Sequence, residues 1–282
     1  MKKTLVIAHV FYPQLWSELA ACVRNIDGER DLIVTYVDGA SVVEARRDFP
    51  EARFLLCENR GFDIWPFLQA IALVNLSDYG CIVKLHTKRD VLDEVRYRFN
   101  HAEFNGSAWR DYLLSFVRTP AAWDRTCRLL KKPDVGMVAD RHVVMRRQDV
   151  PMERTLDSFD QAMALIGLPE SARTRAQYVA GTMFAAKPEA LAAVLQLKPS
   201  AEDFAPAQGH LTETFAHVME RAIGLSVSAA GLRIAPFSGS LRWRRFYAPA
   251  LRFLFRVKET RRRKIVKVLG VPVCWRMKDL AV

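Results

Sequence analysis

The sequence predicts an α/β protein built on a mainly parallel sheet. Half of the 282 residues are apolar, and Gly and Pro occur in ordinary numbers, as in soluble globular enzymes. In the first ninety residues, short apolar strand-like runs alternate with segments of helical periodicity, which indicates parallel strands joined by right-handed crossovers. A polar segment, Lys84-Leu85-His86-Thr87-Lys88, ends one buried run. Such segments lie where the carboxyl ends of parallel strands form a ligand-binding crevice.

Four strands and three helices are predicted in this first part. The opening apolar run is too short for a signal peptide and is soon interrupted by His9, Tyr12 and Pro13, so it reads as a strand. Asp38-Gly39 marks a turn after the second strand, and Asp63 is a possible N-cap of the third helix. The predicted strands are residues 4–10, 31–37, 53–57 and 79–85, and the predicted helices are residues 13–24, 41–48 and 64–76.

The rest of the chain is predicted to continue the same domain to residue 241. Residues 91–169 read mainly as helices around a short strand at 135–139. Strand character returns at 178–186, and helices are predicted at 188–196 and 211–223. The last helix places Glu213, His217 and Glu220 along one face, because their spacings are four and three residues.

The final segment, residues 242–282, carries the net charge. It contains thirteen Lys and Arg against Glu259 and Asp279, a balance equal to the +11 of the whole chain. Aromatic and aliphatic residues alternate with these cations, which favours a basic amphipathic helical tail on an anionic membrane surface. A packed helical tail and a nucleic-acid contact are the alternatives, but no nucleic-acid-binding motif supports the latter. No apolar run reaches the length of a spanning helix.

The five cysteines are scattered and never form a CxxC pair. They predict reduced thiols in a cytoplasmic protein, with neither a zinc site nor a disulfide framework.

The segment from Lys84 to Lys88 combines Lys, His and Thr with no carboxylate. This composition favours an anionic ligand such as a phosphate over a bare metal ion. A second polar segment, Asn59 to Asp63, should lie at the preceding strand end and face the same crevice. In it, Gly61 permits a sharp turn, Arg60 can reach a phosphate or a carboxylate, and Asp63 can accept a hydrogen bond from a ribose hydroxyl or a backbone amide.

Five motifs in order resemble the rhamnan synthesis F family of bacterial glycosyltransferases, which act in cell-surface polysaccharide assembly such as O-antigen synthesis. The motifs cover roughly residues 5–225 and are His9-Val10-Phe11-Tyr12-Pro13-x-x-Trp16, Asn59-Arg60-Gly61-x-Asp63-x-x-Pro66-Phe67, Lys84-Leu85-His86-Thr87-Lys88, Ala180-Gly181-Thr182-Met183-Phe184 and His217-x-x-Glu220-Arg221. The resemblance implies a GT-A-like Rossmann-type fold, a nucleotide-sugar donor and a lipid-linked glycan acceptor.

The resemblance also implies how the donor diphosphate is neutralised. In most GT-A enzymes the strand in this position ends in an Asp-x-Asp motif that holds a divalent metal, whereas this chain has His86-Thr87-Lys88. We therefore expect a metal-independent transferase in which protein cations replace the metal, with no cofactor and a divalent cation not favoured. The alternative is that Lys84 and Lys88 are solvated and His86 is a core histidine.

Site roles follow from these positions. The expected donor and diphosphate ligands are His9, Tyr12, Thr35, Asp38, Asn59, Arg60, Gly61, Asp63, Lys84, His86, Thr87, Lys88 and Arg221. An inverting transferase needs a general base, for which Glu220, His217 and Glu213 are the candidates, with a structural Glu220–Arg221 ion pair as the alternative. Gly181, Thr182 and Met183 would line the acceptor or sugar pocket, or simply pack in the strand.

The expected protein is thus a cytoplasmic, nucleotide-sugar-dependent glycosyltransferase, peripheral on the inner face of the cytoplasmic membrane. Its donor would be a dTDP-, UDP- or GDP-sugar, with rhamnose or another hexose or deoxyhexose as the sugar, and nucleic acid is not expected as a partner. A non-catalytic nucleotide-sugar-binding or glycan-binding subunit of an assembly complex is the alternative.

Overall fold

The computed structural model describes residues 2–89, 97–99, 102–104, 108–149, 153–205, 214–238, 255–260, 263–268 and 271–276. The chain divides into two compact units, residues 1–237 and residues 238–282. None of the helices in these ranges is long and apolar enough to cross a membrane.

The first unit combines eleven strands and eight helices in the described residues. The strands are β1 (Lys3–Val10), β2 (Arg30–Val37), β3 (Arg53–Cys57), β4 (Tyr79–His86), β5 (Tyr97–Phe99), β6 (Ala102–Phe104), β7 (Val135–Asp140), β8 (Val144–Arg146), β9 (Gln177–Val179), β10 (Phe184–Ala186) and β11 (Arg233–Phe237). The helices are α1 (Trp16–Arg24), α2 (Val43–Asp48), α3 (Ile64–Ile71), α4 (Ala108–Leu114), α5 (Pro120–Leu130), α6 (Glu153–Ile166), α7 (Ala192–Gln196) and α8 (Phe215–Ala229).

Seven strands form the main sheet in the order β11-β7-β10-β4-β1-β2-β3. All neighbouring pairs are parallel except those of β10, which is antiparallel to both β4 and β7. This sheet and its flanking helices confirm the predicted fold class. Because the chain adds β2 and β3 on one side of β1 and then returns to place β4 on the other, a topological switch point lies between β1 and β4.

The centre of the sheet is buried on both faces. Every residue of β1 from Thr4 to Val10 is buried, including successive residues that face opposite sides. On α8, Gly224 allows a very close approach to β9, because a Cβ atom there would lie 2.3 Å from the Cα of Tyr178. Burial raises the pKa of the Cys22 and Cys57 thiols to about 12, so these cysteines act as core residues.

The structure differs from several of the predicted elements. The third helix ends at Ile71 rather than at residue 76, and the last one is α8, which begins at Phe215 rather than at residue 211. The predicted strand 178–186 is two strands, because the chain turns between them; β9 pairs with β8 instead of joining the main sheet. The edge strand β11, five residues long, has no counterpart in the sequence prediction.

The second unit contains three strands, β12 (Phe255–Thr260), β13 (Arg263–Val268) and β14 (Val271–Arg276), which form an antiparallel sheet. The predicted helical tail is therefore wrong for these residues. The physical reason is their composition: the three segments are rich in β-branched Val and Ile and contain Phe255 and Trp275, residue types that favour strands.

The strand register pairs basic residues with each other within this small sheet. Arg256 lies opposite Lys267, and Arg263 lies opposite Arg276.

Candidate active site

A row of three buried polar residues crosses the carboxyl ends of the central strands. Thr35 of β2, His9 of β1 and His86 of β4 are neighbours in the strand register. They therefore share one face of the sheet. His9 Nδ1 and Thr35 Oγ1 are 3.0 Å apart and hydrogen-bonded, and no more than 5% of any of the three residues is exposed. The structure thus brings together three residues that the sequence assigned to donor binding.

Lys84, which shares this face of β4 with His86, lies in a buried polar cluster. Its ammonium group forms an ion pair with Asp63 and donates a hydrogen bond to Thr182 Oγ1 at 2.8 Å. The Thr182 hydroxyl in turn donates to Asp63 Oδ2 at 2.5 Å. Although Asp63 precedes α3, its side chain makes no capping bond. The Asp63 carboxylate is instead part of the buried cluster, so its side chain does not cap α3. Lys84 is only 1% exposed and already paired, which removes it as a freely available phosphate ligand.

Burial and charge set the protonation states here. Burial lowers the pKa of His9 to about 4 and that of His86 to about 3, so both imidazoles are neutral at pH 7. Burial alone would raise the pKa of Asp63. The electrostatic interactions with His86 and Lys84, and the hydrogen bonds from Lys84 and Thr182, outweigh this and hold the pKa of Asp63 well below its usual range.

Both ring nitrogens of His86 have unused hydrogen-bonding capacity. Neither of its ring nitrogens has a hydrogen-bond partner among the described residues, and Nδ1 lies 3.4 Å from Asp63 Oδ2. A neutral imidazole offers one donor and one acceptor, and leaving a buried polar group unpaired costs about 1–3 kcal/mol. Such groups are uncommon in folded proteins, and they are often found where a ligand binds.

Thr87, directly after β4, also holds the loop that follows β1. Thr87 Oγ1 accepts hydrogen bonds from the backbone N–H groups of Phe11 and Tyr12, both at 2.9 Å. The Thr87 hydroxyl therefore shapes the loop after β1. Lys88 stays partly exposed, and its carbonyl accepts a hydrogen bond from Arg110 at 3.1 Å. Within the Lys84–Lys88 segment, Lys88 is the cation that solvent can reach.

The turn from Asn59 to Asp63 is fixed mainly by protein contacts. Arg60 donates to Glu58 at 2.9 Å and to the Phe204 carbonyl at 3.1 Å. Gly61 has a φ of +58°, and a Cβ atom there would lie 2.5 Å from the Phe204 ring. Arg60 and Gly61 therefore hold the turn in place. Asn59 is exposed, as is Asp38 after β2.

Helix α8 supports the turn between β9 and β10. Glu220 accepts a hydrogen bond from the Gly181 N–H at 2.6 Å with one oxygen, and from Arg221 at 3.1 Å with the other. Arg221 is 4% exposed and also donates to the His217 carbonyl at 2.7 Å. The Glu220–Arg221 ion pair that the sequence left open as the alternative is present. Arg221 lies in the protein interior, where Glu220 and the His217 carbonyl hold its guanidinium.

His217 also has a structural contact. Its Nδ1 accepts a hydrogen bond from the Thr214 N–H at 3.2 Å and thereby closes the first turn of α8. Glu213, the third base candidate, lies outside the described residues. Met183 has no exposed surface, so it packs in the core, as the alternative to pocket lining predicted.

Thr182 has an unusual backbone conformation. Its φ is +46°, directly after Gly181 at +78°. A β-branched residue with positive φ is a true outlier, and such strain costs about 1–3 kcal/mol and is concentrated at functional sites. The strained geometry places the Thr182 hydroxyl between Lys84 and Asp63.

Removing that hydroxyl should destabilise the protein. Thr182→Val keeps the branched shape but leaves Lys84 and Asp63 with one hydrogen bond fewer each, and we expect a loss of about 1–3 kcal/mol in the free energy of unfolding. Thr182→Ser keeps the hydroxyl and should lose less than half as much. Urea unfolding of the two variants checks this, and equal losses would show that the hydroxyl is unimportant.

A second polar group lies at the same sheet edge and was missed by the sequence analysis. Asp140, at the end of β7, is hydrogen-bonded to both Ser115 and His142. The signal was available, because Asp140 and His142 follow the predicted strand 135–139 just as the Lys84–Lys88 motif ends the fourth. No group of three or more His, Cys, Asp or Glu residues able to hold a metal ion occurs in the described ranges.

An open, mainly parallel sheet with buried polar groups at the strand ends beside a switch point defines the class of α/β proteins that bind ligands in that crevice. The chain belongs to the family described as rhamnan synthesis protein F, whose sequence profile matches residues 1–231.

Among curated proteins, the chain is similar to the uncharacterised protein WxcX of Xanthomonas campestris pv. campestris. The version from strain B100 is 27% identical over 241 residues, which is 84% of this chain and 33% of that protein. A second strain's version is 26% identical over the same length. The chain thus spans about a third of the length of these relatives.

Among solved structures, the chain is distantly similar to glucosyl-3-phosphoglycerate synthase from Mycobacterium tuberculosis. One complex, with Mn²⁺, UDP and phosphoglyceric acid, gives a TM-score of 0.32 at 13% identity over 67% of this chain and 57% of that one. Another gives 0.34 at 11% identity over 99% and 89%. Similarities this distant assign neither substrate nor mechanism.

Proposed function

We propose that this chain is a glycosyltransferase domain that binds a nucleotide-sugar donor in the crevice at the carboxyl ends of β1, β2 and β4. Membership of the rhamnan synthesis family supports a role in polysaccharide assembly. The observation that carries the proposal is the neutral, unpartnered His86, beside the strained Lys84–Asp63–Thr182 cluster at the switch point of the sheet. Buried hydrogen-bonding capacity of this kind suits the hydroxyl and phosphate oxygens of a nucleotide sugar.

In this proposal, different polar groups contact different parts of the donor. His9 and Thr35, with Tyr12, Asp38 and Asn59 around them, are on the nucleoside side. His86 and the partly exposed Lys88 are on the diphosphate side, where Lys88 offsets the charge of the departing nucleoside diphosphate without a metal ion. Lys84 acts indirectly by fixing Asp63 and Thr182, so its role differs from the direct phosphate contact that the sequence predicts. We propose an inverting reaction.

The acceptor is proposed to be a lipid-linked surface glycan presented at the inner face of the cytoplasmic membrane. The composition of the tail supports this, because residues 242–282 contain thirteen Lys and Arg against Glu259 and Asp279. A segment of this charge is attracted to anionic lipids within about a Debye length. A non-catalytic subunit that binds the same donor remains the second candidate.

A thermal unfolding experiment tests the donor site. We expect dTDP, UDP or GDP, or one of their sugar derivatives, to raise the melting temperature by about 5–10 °C at 100 times its dissociation constant, because the ligand binds only the folded state. The rise should be the same in excess EDTA. His86→Ala should lose most of it, whereas Asp149→Asn, a change at an exposed turn near β8, should keep it.

Two results would count against the proposal. A rise that EDTA abolishes and Mn²⁺ or Mg²⁺ restores would contradict metal independence while leaving the transferase intact. The absence of any rise across the panel would contradict the donor site itself.

A further inference from the structure

A buried carboxylate ends strand β7 of the main sheet. Asp140 is the last residue of β7, and β10 lies between β4 and β7, antiparallel to both. The carboxyl ends of β4 and β7 therefore meet at the same edge of the sheet. Only 3% of Asp140 is exposed, so its carboxylate must be satisfied by protein groups.

The carboxylate of Asp140 orients an imidazole. Oδ1 lies 2.8 Å from His142 Nδ1 and also accepts a hydrogen bond from the His142 backbone N–H at 2.8 Å. Oδ2 accepts a hydrogen bond from the Ser115 hydroxyl at 2.6 Å. Three hydrogen bonds from two directions fix the carboxylate, which in turn fixes the ring of His142. The Tyr112 ring packs beside the imidazole at 4.4 Å between centroids.

The hydrogen bonds also identify the tautomer. The Arg141 Nε–H lies 3.1 Å from His142 Nε2, and a guanidinium can only donate. His142 Nε2 therefore carries the lone pair, and Nδ1 carries the hydrogen that it donates to Asp140. A neutral imidazole held by a buried carboxylate, with the lone pair on the far nitrogen, is the arrangement of a general base.

One backbone contact joins this pair to the donor crevice. The carbonyl of Val143, the residue after His142, accepts a hydrogen bond from the Ala180 N–H at 2.8 Å. Two residues further, Thr182 contacts Lys84 and Asp63. The turn at residues 180–182 thus lies between the imidazole and the polar cluster.

The base candidates on α8 are less suitable. Both carboxylate oxygens of Glu220 accept hydrogen bonds, one from Gly181 and one from Arg221. The Nδ1 of His217 is engaged with Thr214. Arg141, by contrast, is an exposed side chain that an incoming hydroxyl can displace from His142 Nε2.

We propose that His142, oriented by Asp140, is the general base of the transfer reaction; this rests on the proposed glycosyltransferase function. His142 Nε2 takes the proton of the acceptor hydroxyl while the acceptor oxygen forms a bond to the anomeric carbon of the sugar. The bond from that carbon to the diphosphate breaks, and its electron pair leaves with the nucleoside diphosphate. The imidazolium then returns the proton to solvent.

The test uses water as the acceptor, because hydrolysis of the donor needs the same proton transfer. The full chain is given dTDP-, UDP- and GDP-sugars, and release of nucleoside diphosphate is measured for the wild type, His142→Gln, Asp140→Asn and the control Asp149→Asn. We expect His142→Gln to lower the hydrolysis rate by about 100-fold or more. The melting-temperature rise caused by the nucleotide should be unchanged, since the base does not hold the donor.

Asp140→Asn is the second variant and separates positioning from folding. The amide oxygen can keep both hydrogen bonds from His142, but the side chain loses the negative charge that stabilises the imidazolium as Nε2 takes the proton. We expect the same loss of rate, with nucleotide binding retained. The control Asp149→Asn neutralises a carboxylate that accepts a backbone hydrogen bond in a nearby turn, and it should hydrolyse the donor at the wild-type rate.

Three results would overturn the inference. Hydrolysis by His142→Gln within about threefold of the wild type would show that another group is the base, with the transferase function unaffected. A wild type that binds nucleotide but does not hydrolyse any donor would contradict a base able to activate water. A wild type that neither binds nor hydrolyses would instead remove the proposed function, and this assignment with it.

Discussion

Replacing Asp63 with asparagine is expected to lower the free energy of unfolding by about 3–5 kcal/mol, because the change leaves the buried Lys84 ammonium without its carboxylate partner. Lys84 is 1% exposed, so its ammonium group cannot reach solvent without repacking. Burial already lowers the pKa of Lys84, and the Asp63 carboxylate opposes that shift. The measurement is the unfolding free energy from urea titration at pH 7.

A double variant makes this prediction specific. Asp63→Asn combined with Lys84→Met removes both charges, and we expect it to be more stable than Asp63→Asn alone, since an apolar side chain of similar length needs no partner. Asp78→Asn, an exposed carboxylate before β4, serves as control and should change stability by less than about 0.5 kcal/mol. If Asp63→Asn behaves like this control, the ion pair has no structural role.

Lowering the pH from about 6.5 to 4 is expected to destabilise the protein steeply, by as much as about 1.4 kcal/mol per pH unit for each of two histidines. The pKa of His9 falls from 6.5 to about 4 on folding, and that of His86 to about 3. In this window the unfolded chain binds protons that the folded chain excludes, so stability is complete above pH 6.5 and decreases on acidification. The lowered pKa of Asp63 also makes stability depend on pH, but at more acidic values. Its contribution to the free energy of unfolding is lost only as the pH falls below the ordinary range of aspartate titration.

Unfolding titrations at pH values between 7.5 and 4.5 measure this slope. His86→Gln should reduce it by roughly half, because one of the two buried imidazoles is then absent. The acidic groups near these histidines do not produce the same effect in this window, since Asp63 is ionised throughout it. A stability that does not change between pH 6.5 and 5 would contradict the burial of neutral histidines at the strand ends.

The position of much of the site could be predicted from the sequence. The contacts between its side chains could not. Polar residues after a buried run identify a strand end, which is why His9, Thr35 and His86 were expected at one crevice. Sequence gives no partner for a lysine, however, and the pairing of Lys84 with Asp63 and Thr182 depends on three separate segments meeting. The same limit applies to His142, whose significance lies in its orientation by Asp140 and Ser115.

The sequence by itself determined the family, the α/β class and the first four strands, because apolar periodicity and motif order are local properties of the chain. It also determined that the positive charge lies in the last segment. Only the tertiary structure decided that β10 enters the sheet antiparallel, that the described part of the tail is strands, and which strand-end residues pair with each other. Those outcomes depend on contacts between segments far apart in the chain, whose energies no local pattern records.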